Sequence, residues 1–348
     1  MSALADATSL AVLERGEGEL VGWADPDEMR AWMREHKPNG LKDKRLSAAE
    51  AVETYVNDGD LIASGGFGHV RVSTALIHEI IRQGVSDLTL AGKTAVYDSD
   101  LLIAANAVDR VEAAYSFAHE ARGLAPASRR RVEGGDCEVV AEISNAGLQW
   151  RFLAAKMGLP FVPSRILAGT DTFAKSSAVR VEGPFAGKPL TLLPACYPDV
   201  AVIHVSRCDR YGNSQIDGIT VEDPELAAAA KRLIVSTEEV VDEDTIRDAP
   251  DETVFPHFLV DAVVEQPYGG HPGDMLDAYY FDETHIAEWL ERSRTDEGVE
   301  GYMAEYIHDV PDFDAYLEKI GGEERLAELE AVEHYEQETD YPWVGGDD

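Results

Sequence analysis

The chain has 348 residues, of which 66 are acidic and 30 basic, for a formal net charge of −36. Hydrophobic residues make up 45 % of it, which suits a globular protein and is too much for a disordered one. So negative a surface repels nucleic-acid phosphates and anionic lipid, so no nucleic acid and no membrane are expected as partners.

Residues 1–40 are read as an N-terminal extension. Within it Asp25, Pro26 and Asp27 open a short helix over DPDEMRAWMREH, which Pro38-Asn39-Gly40 breaks. SAAEAVETYV is a second helix, with Ser47 as N-cap and Glu50 at the capping-box position. Asp58-Gly59-Asp60 then turns the chain into a short strand, Leu61 to Ser64. The loop Gly65-Gly66-Phe67-Gly68 leads into an amphipathic helix over VSTALIHEIIRQG, ended by Gly84. LTLAGK and VEAAYSF are strands on either side of a helix around Asp100 to Asn106. CEVVAEIS is a strand, and GLQWRFLAAKMG a helix that Gly158 ends. LTLLPA, VAVIHVSR, RLIVSTEEV and FLVDAVVEQ all read as strands. Strands alternating with helices or long crossovers predict an α/β domain over 41–330, with a largely parallel open sheet and helices on both faces. Within that range the last third turns to helical C-terminal additions, HIAEWLERS, GYMAEYIH and DFDAYLEKIG, and 331–348 form an acidic tail.

The most informative local feature is DGDLIASGGFG, residues 58–68. A strand feeding glycines and then a helix places backbone N–H groups beside a helix N-terminus, a site for an anion or a developing oxyanion. Glycine permits both an unusual φ and close ligand approach. The bland alternative is a tight connection. The loop is no G-x-G-x-x-G, and Gly92-Lys93-Thr94 lacks the upstream glycine of a P-loop, where Asp87 stands. There is no HExxH, no zinc-spaced Cys/His set and no G-x-S-x-G elbow, so no metal is expected. Cys137, Cys196 and Cys208 form no CxxC pair, and their odd number argues against a disulfide framework. His204, inside VAVIHV, reads as a satisfied core histidine.

Three other strand ends carry polar or glycine-bearing loops. Ser144-Asn145 after CEVVAEIS is either a ligand contact at a carboxyl-end crevice or an ordinary turn and N-cap. Asp209 to Asn213, DRYGN, has the same two readings. Tyr268-Gly269-Gly270-His271-Pro272 is a third such end. In a parallel sheet these loops converge on one edge.

The acidic excess is spread along the chain, as in a cytoplasmic protein adapted to high salt, where screening is strong. The first twenty residues have no basic n-region and no long apolar h-region, and no apolar run nears the roughly 18 residues of a membrane span.

Asp58-Gly59, the apolar positions after it and Gly65-Gly66-Phe67 resemble the first signature of family I coenzyme A transferases. The resemblance extends over about 41–330 through LTLAGKTAVYDSDLLIA, MGLPFVP, PDVAVIHVSRCDRYGNSQIDG, AAAAKRLIVSTEEVV and LVDAVVEQPYGGHP. It is closest to the A (alpha) subunit of glutaconate CoA-transferase and its relatives. Ser64 departs from the signature's apolar preference, and Arg71 and Ser73 stand where it has glycine and proline.

The resemblance implies transfer of coenzyme A between carboxylic acids through a glutamyl-CoA thioester. It places the nucleophilic glutamate in an S-E-N-G motif on a B subunit. This chain has no S-E-N-G, so it resembles half an enzyme with no catalytic nucleophile of its own. It implies an oxyanion or substrate-binding role for Gly65, Gly66 and Phe67 by signature match, and for Ser144, Asn145, Asn213, Gly270 and His271 from matching segments. It implies no permanently bound cofactor, a coenzyme A thioester as substrate, and a beta (B) subunit as partner in an α2β2 or higher heteromer. Gly66→Val is expected to abolish activity with little loss of folding. Two alternatives stand beside this: an alpha subunit of a hydrolase cleaving ring-derived CoA thioesters, and a non-catalytic ligand-binding protein of the same fold. In those hydrolases an alpha-chain glutamate sits near the position of Asn145, which this chain lacks.

Overall fold

Local signals set many of the element ends. The Ser47 hydroxyl accepts from the Glu50 N–H at 3.2 Å, and the Glu50 carboxylate accepts from the Ser47 N–H at 3.0 Å. Both halves of the capping box are therefore made, and the helix Ala48–Tyr55 starts where the sequence places it. Gly84 and Gly158, at φ +70° and +65°, follow the helices Thr74–Arg82 and Asn145–Lys156 in the left-handed conformation that favours glycine.

The structure is a computed structural model that describes residues 10–38, 40–184 and 187–338. Its strands in chain order are β1 (Val12–Arg15), β2 (Leu61–Ser64), β3 (Leu88–Lys93), β4 (Val108–Ala114), β5 (Glu138–Glu142), β6 (Phe161–Ser164) and β7 (Val179–Glu182). There follow β8 (Pro189–Pro194), β9 (Val200–Asp209), β10 (Ser214–Gln215), β11 (Arg232–Val241), β12 (Thr253–Phe255) and β13 (Ala262–Glu265). The main sheet runs β13-β11-β9-β2-β3-β4-β5, with every neighbouring pair parallel. The short strands β10 and β12 extend it antiparallel beside the far end of β9.

Side chains along β9 alternate between two cores. Val200 and Val202 pack with Leu76, Leu101 and Trp289 on one face, and Ala201, Ile203 and Val205 pack with Leu148, Phe152 and Leu226 on the other. Burial on both faces is what near-continuous apolar strands require of a parallel sheet. From β2 the chain steps outward through β3, β4 and β5, then returns to β9 and steps outward through β11 to β13. Strand order thus reverses between β2 and β9, and in open α/β sheets the carboxyl ends at such a reversal are where ligands bind.

Three features differ from the sequence expectation. LTLLPA becomes β8 in a second, antiparallel sheet of order β1-β7-β8-β6. No helix-length crossover separates β7 from β8, and without one the pair closes as a hairpin. VEAAYSF ends as a strand at Ala114, because Tyr115 and Phe117 turn to φ +58° and +69°. FLVDAVVEQ keeps a strand only over Ala262–Glu265, behind a 3-10 turn at His257–Leu259.

The described part of residues 1–40 joins the second sheet and the second core. β1 pairs with β7, Val21 and Met29 are buried, and the Tyr197 N–H donates to the Gly22 carbonyl at 2.7 Å. Residues 1–9 and Asn39 lie outside the described residues. At the other end a helix, Gly322–Glu333, runs into the segment read as an acidic tail, of which residues 339–348 lie outside the described ones.

The C-terminal helices cover His78. It is fully buried, and its ring meets those of Phe313 and Tyr316 at 5.3 and 4.8 Å. Among the described residues neither ring nitrogen has a hydrogen-bond partner. Burial holds its pKa well below the ordinary value of 6.5. The unfolded chain binds a proton here below about pH 6.5 and the folded chain does not, so stability falls as pH drops through that value. His78→Leu is therefore expected to stabilise the protein by about 2 kcal/mol more at pH 5 than at pH 8. Denaturant titrations at the two pH values check this, and an equal gain at both would mean that the folded ring titrates normally.

Candidate active site

The reversal point is occupied by the glycine loop. The Gly65 N–H continues the β2–β9 pairing by donating to the Val202 carbonyl at 2.8 Å. Gly66 turns the chain at φ +75° and donates its N–H to Asp223 Oδ1 at 2.9 Å. The Phe67 N–H donates to the Val70 carbonyl at 3.1 Å, and the Gly68 N–H to the Thr94 carbonyl at 2.9 Å. Each of the four amides thus has an acceptor inside the chain. The expectation of bare oxyanion donors is corrected here: the loop is a braced platform, and what braces it is Asp223.

Asp223 opens the helix Asp223–Ala229 and is completely buried. Its Oδ2 accepts from Arg71 Nη1 at 2.6 Å. Arg71 Nη2 donates in turn to the Ile219 carbonyl at 2.7 Å, and Nη1 to the His204 carbonyl at 3.3 Å. Arg71 holds φ +54°, which gives a physical reason for glycine in the signature at that place. A Cβ on Gly65 would sit 2.6 Å from Asp223 Oδ1, and one on Gly66 would sit 2.3 Å from the Val70 carbonyl oxygen. Gly66→Val therefore has to shift the loop itself, and the sequence expectation of little loss of folding is corrected accordingly.

Around this platform stand groups from neighbouring strand ends. Lys93 ends β3, and its Nζ lies 2.5 Å from the carboxylate of Glu222, which is fully buried. Burial, with the Asp223 charge beside it, pushes Glu222 up to about 8. Thr94 donates its hydroxyl to Asn145 Oδ1 at 3.0 Å while its carbonyl holds Gly68. Burial likewise raises Asp274 to about 7, and its carbonyl accepts the Arg71 N–H at 2.9 Å. Arg71, Thr94, Tyr115, Phe117 and Val221 all hold left-handed φ on these connections. For a β-branched residue such as Val221, at φ +45°, that is real strain, of the kind that gathers at functional sites.

Residues 45–266 match the family model described as coenzyme A transferase. The chain belongs to the coenzyme A transferase family. It is 36 % identical to the A subunit of 3-oxoadipate CoA-transferase from Pseudomonas knackmussii over 79 % of this chain and 97 % of that one. The A subunit of glutaconate CoA-transferase from Acidaminococcus fermentans is 32 % identical over 83 % of this chain and 95 % of its own. The crystal structure of glutaconate CoA-transferase from that organism covers 82 % of this chain and 95 % of its own at a TM-score of 0.77. A cholesterol ring-cleaving hydrolase IpdA subunit of Rhodococcus jostii is 29 % identical over 81 % of this chain and 98 % of its own.

In this CoA-transferase the residues singled out from sequence divide into two groups. Gly65, Gly66, Phe67, Ser144 and Asn145 gather on one edge, linked through Thr94. The Ser144 hydroxyl caps its helix by accepting from the Gly147 N–H at 3.1 Å, the ordinary N-cap role. Gly270 lies one layer behind the loop, donating its N–H to the Tyr279 hydroxyl at 3.1 Å and accepting from Thr74 at 3.2 Å. Two residues are not brought to the edge. Asn213 closes the turn after β9, bonded to Asp209 and His257. β9 runs on past Val202, the partner of Ser64, to Asp209, on the order of 20 Å along the strand. His271 is fully buried under the C-terminal helices, sharing hydrogen bonds with the Tyr316 hydroxyl at 2.7 Å and Asp282 at 3.2 Å. His204 is a satisfied core histidine, bonded to Ser236 at 2.8 Å and Glu238 at 2.6 Å.

Sequence reasoning misses Arg71, Lys93, Glu222 and Asp223. The signal present is Gly92-Lys93-Thr94, polar groups on a glycine-loosened strand end, which reads as informative once the P-loop comparison is set aside. The rim of the edge carries exposed apolar side chains, Tyr115, Leu124, Ile219 and Leu276, at 58, 59, 65 and 45 % exposure. Among the described residues no cluster of three or more His, Cys, Asp or Glu is arranged to hold a metal ion, and no helix is long and apolar enough to cross a membrane.

Proposed function

We propose that the chain is the alpha half of a heteromeric CoA-transferase that moves coenzyme A between carboxylic acids through a glutamyl-CoA thioester, with the glutamate on a partner B subunit. One observation carries this reading. The two carboxylates that reach the glycine loop from residues 222 and 223 are wholly buried and engaged, Glu222 by Lys93 and Asp223 by Arg71 and Gly66. Neither is placed to attack an incoming thioester, which fits an attacking carboxylate supplied by a partner. The exposed apolar side chains of Tyr115, Leu124, Ile219 and Leu276 would be covered by a docked subunit. The two CoA-transferase relatives, each named as one subunit of its enzyme, support the same reading. The acyl group would lie over Gly65-Gly66-Phe67, with Lys93, Thr94 and Asn145 at its side.

The purified chain alone is expected to show no transfer of coenzyme A from acyl-CoA to a labelled carboxylic acid. Turnover should appear when the chain is combined with a B subunit that carries the S-E-N-G glutamate. Borohydride trapping after addition of acyl-CoA should then modify a glutamate of that partner. Full turnover by the isolated chain would overturn the proposal.

A further inference from the structure

Transfer of coenzyme A between carboxylates needs no general base, because the attacking groups, carboxylate and thiolate, are already anions. A proton-sharing chain beside the glycine loop therefore has no task in that reaction, and the structure contains one. His69 follows Gly68 directly. Its Nε2 lies 3.2 Å from His119 Nδ1, and His119 Nε2 lies 3.4 Å from Asp100 Oδ2. Both rings and the carboxylate are buried.

Hydrogen-bond logic fixes the proton positions. Asp100 accepts from the Ser128 N–H at 2.9 Å, the Ser128 hydroxyl at 2.6 Å and Trp289 Nε1 at 2.8 Å. Burial alone would raise its pKa, but the donors from His119 and Ser128 outweigh that and hold it below the ordinary value. An ionised carboxylate only accepts, so the proton of His119 sits on Nε2. His119 Nδ1 is then a lone pair that accepts from His69 Nε2–H. That leaves the lone pair of His69 on Nδ1. This atom accepts a long hydrogen bond from Arg122 Nη1 at 3.5 Å, and Glu120 Oε2 lies 3.9 Å away. Glu120 Oε1 is also 2.7 Å from where a Cβ of Gly68 would stand, so His69 Nδ1 and the loop share one neighbourhood. Burial lowers His69 to about 4, which keeps the ring neutral near pH 7.

We propose that His69 is a general base that activates water against an acyl-CoA thioester held at the Gly65–Gly68 loop, giving this transferase a hydrolytic activity. His119 and Asp100 are positioning residues that fix its tautomer, as the buried carboxylate does in a Ser-His-Asp triad. His69 Nδ1 takes a proton from water as the water oxygen bonds to the thioester carbonyl carbon. The tetrahedral intermediate then collapses, the C–S bond breaks, and His69 returns the proton to the departing sulfur. The products are the free acid and coenzyme A thiol. The proposal rests on the placement of the acyl group given under Proposed function. The charged groups facing His69 are Glu120 and Arg122 on its own side of the sheet edge, Asp100 beyond His119, and Glu283, which pairs with Arg122 at 2.5 Å from the C-terminal helices.

The test follows thiol release and label transfer in parallel, in the complex of the chain with its B subunit, using a short acyl-CoA. Wild type should release free thiol without a carboxylate acceptor. His69→Ala should lower the ratio of hydrolysis to transfer by about 100-fold or more, and added imidazole should restore it. His119→Gln should lower hydrolysis and shift its pH profile, because the tautomer is no longer held. Independently of any variant, the nitrogen-15 spectrum of the wild-type chain should show His69 with Nε2 protonated and Nδ1 bare. The opposite tautomer, or transfer without hydrolysis in wild type, overturns the proposal alone. Absence of both activities overturns the transferase reading and this inference with it.

Discussion

Replacing Asp223 by alanine is expected to destabilise the protein by roughly 3–5 kcal/mol. The carboxylate neutralises Arg71 at 2.6 Å and accepts the Gly66 N–H at 2.9 Å, and both charged partners are buried. Removing it leaves a cation in low dielectric and an orphaned amide, and each carries the full desolvation penalty of an unpaired group. Arg71→Met should cost a similar amount for the mirror-image reason. The double variant should then cost clearly less than the sum, since neither unpaired charge remains. Urea titrations of the four proteins read out this cycle. Losses below about 1 kcal/mol in both single variants would mean that water reaches the pair and that the loop has no internal brace. Activity should fall together with stability, because the same carboxylate that neutralises Arg71 sets the height of the glycine loop over the sheet.

That pair shows where sequence reading stops. The strand Leu61–Ser64, its glycine loop and the helix after it are legible because their signals are local: apolar residues, then glycines, then a helical period. The capping box at Ser47 and the helix ends at Gly84 and Gly158 are legible for the same reason. Arg71 and Asp223 lie 152 residues apart, and His69 and His119 lie 50 apart. Nothing in either neighbourhood announces the other. The glycine loop misleads in one respect: glycine freedom is visible in sequence, but the acceptors that already occupy its amides are not. The antiparallel sheet shows a related limit. Alternation identifies β8 as a strand, yet only the length and course of its connections decide which sheet it joins. The motifs around Asn213 and His271 point both residues toward the site. Register along β9 carries the first away, and the C-terminal helices bury the second.

Gly66→Ala, a single added methyl group, should be enough to separate the loop's two roles. At φ +75° an L side chain costs about 1–2 kcal/mol wherever it is placed. Here the Cβ would also lie 2.3 Å from the Val70 carbonyl oxygen and 2.7 Å from that of Arg71. These are backbone atoms, so no rotamer change relieves the clash and the loop must lift. Lifting it stretches the bond from the Gly66 N–H to Asp223, which adds about 1–3 kcal/mol for a buried donor left unpaired. Gly59→Ala is the matched comparison, because Gly59 holds φ +81° with nothing within 4 Å of its Cβ position. It should lose only the conformational part and keep its turnover. Gly66→Ala should lose clearly more stability and about 100-fold in transfer rate, since a displacement on the order of 1 Å at a reacting centre has that effect. Thermal melts and transfer rates of the two variants, measured with the B subunit, make the comparison. If both behave alike, the loop has slack beneath it and does not position the acyl group.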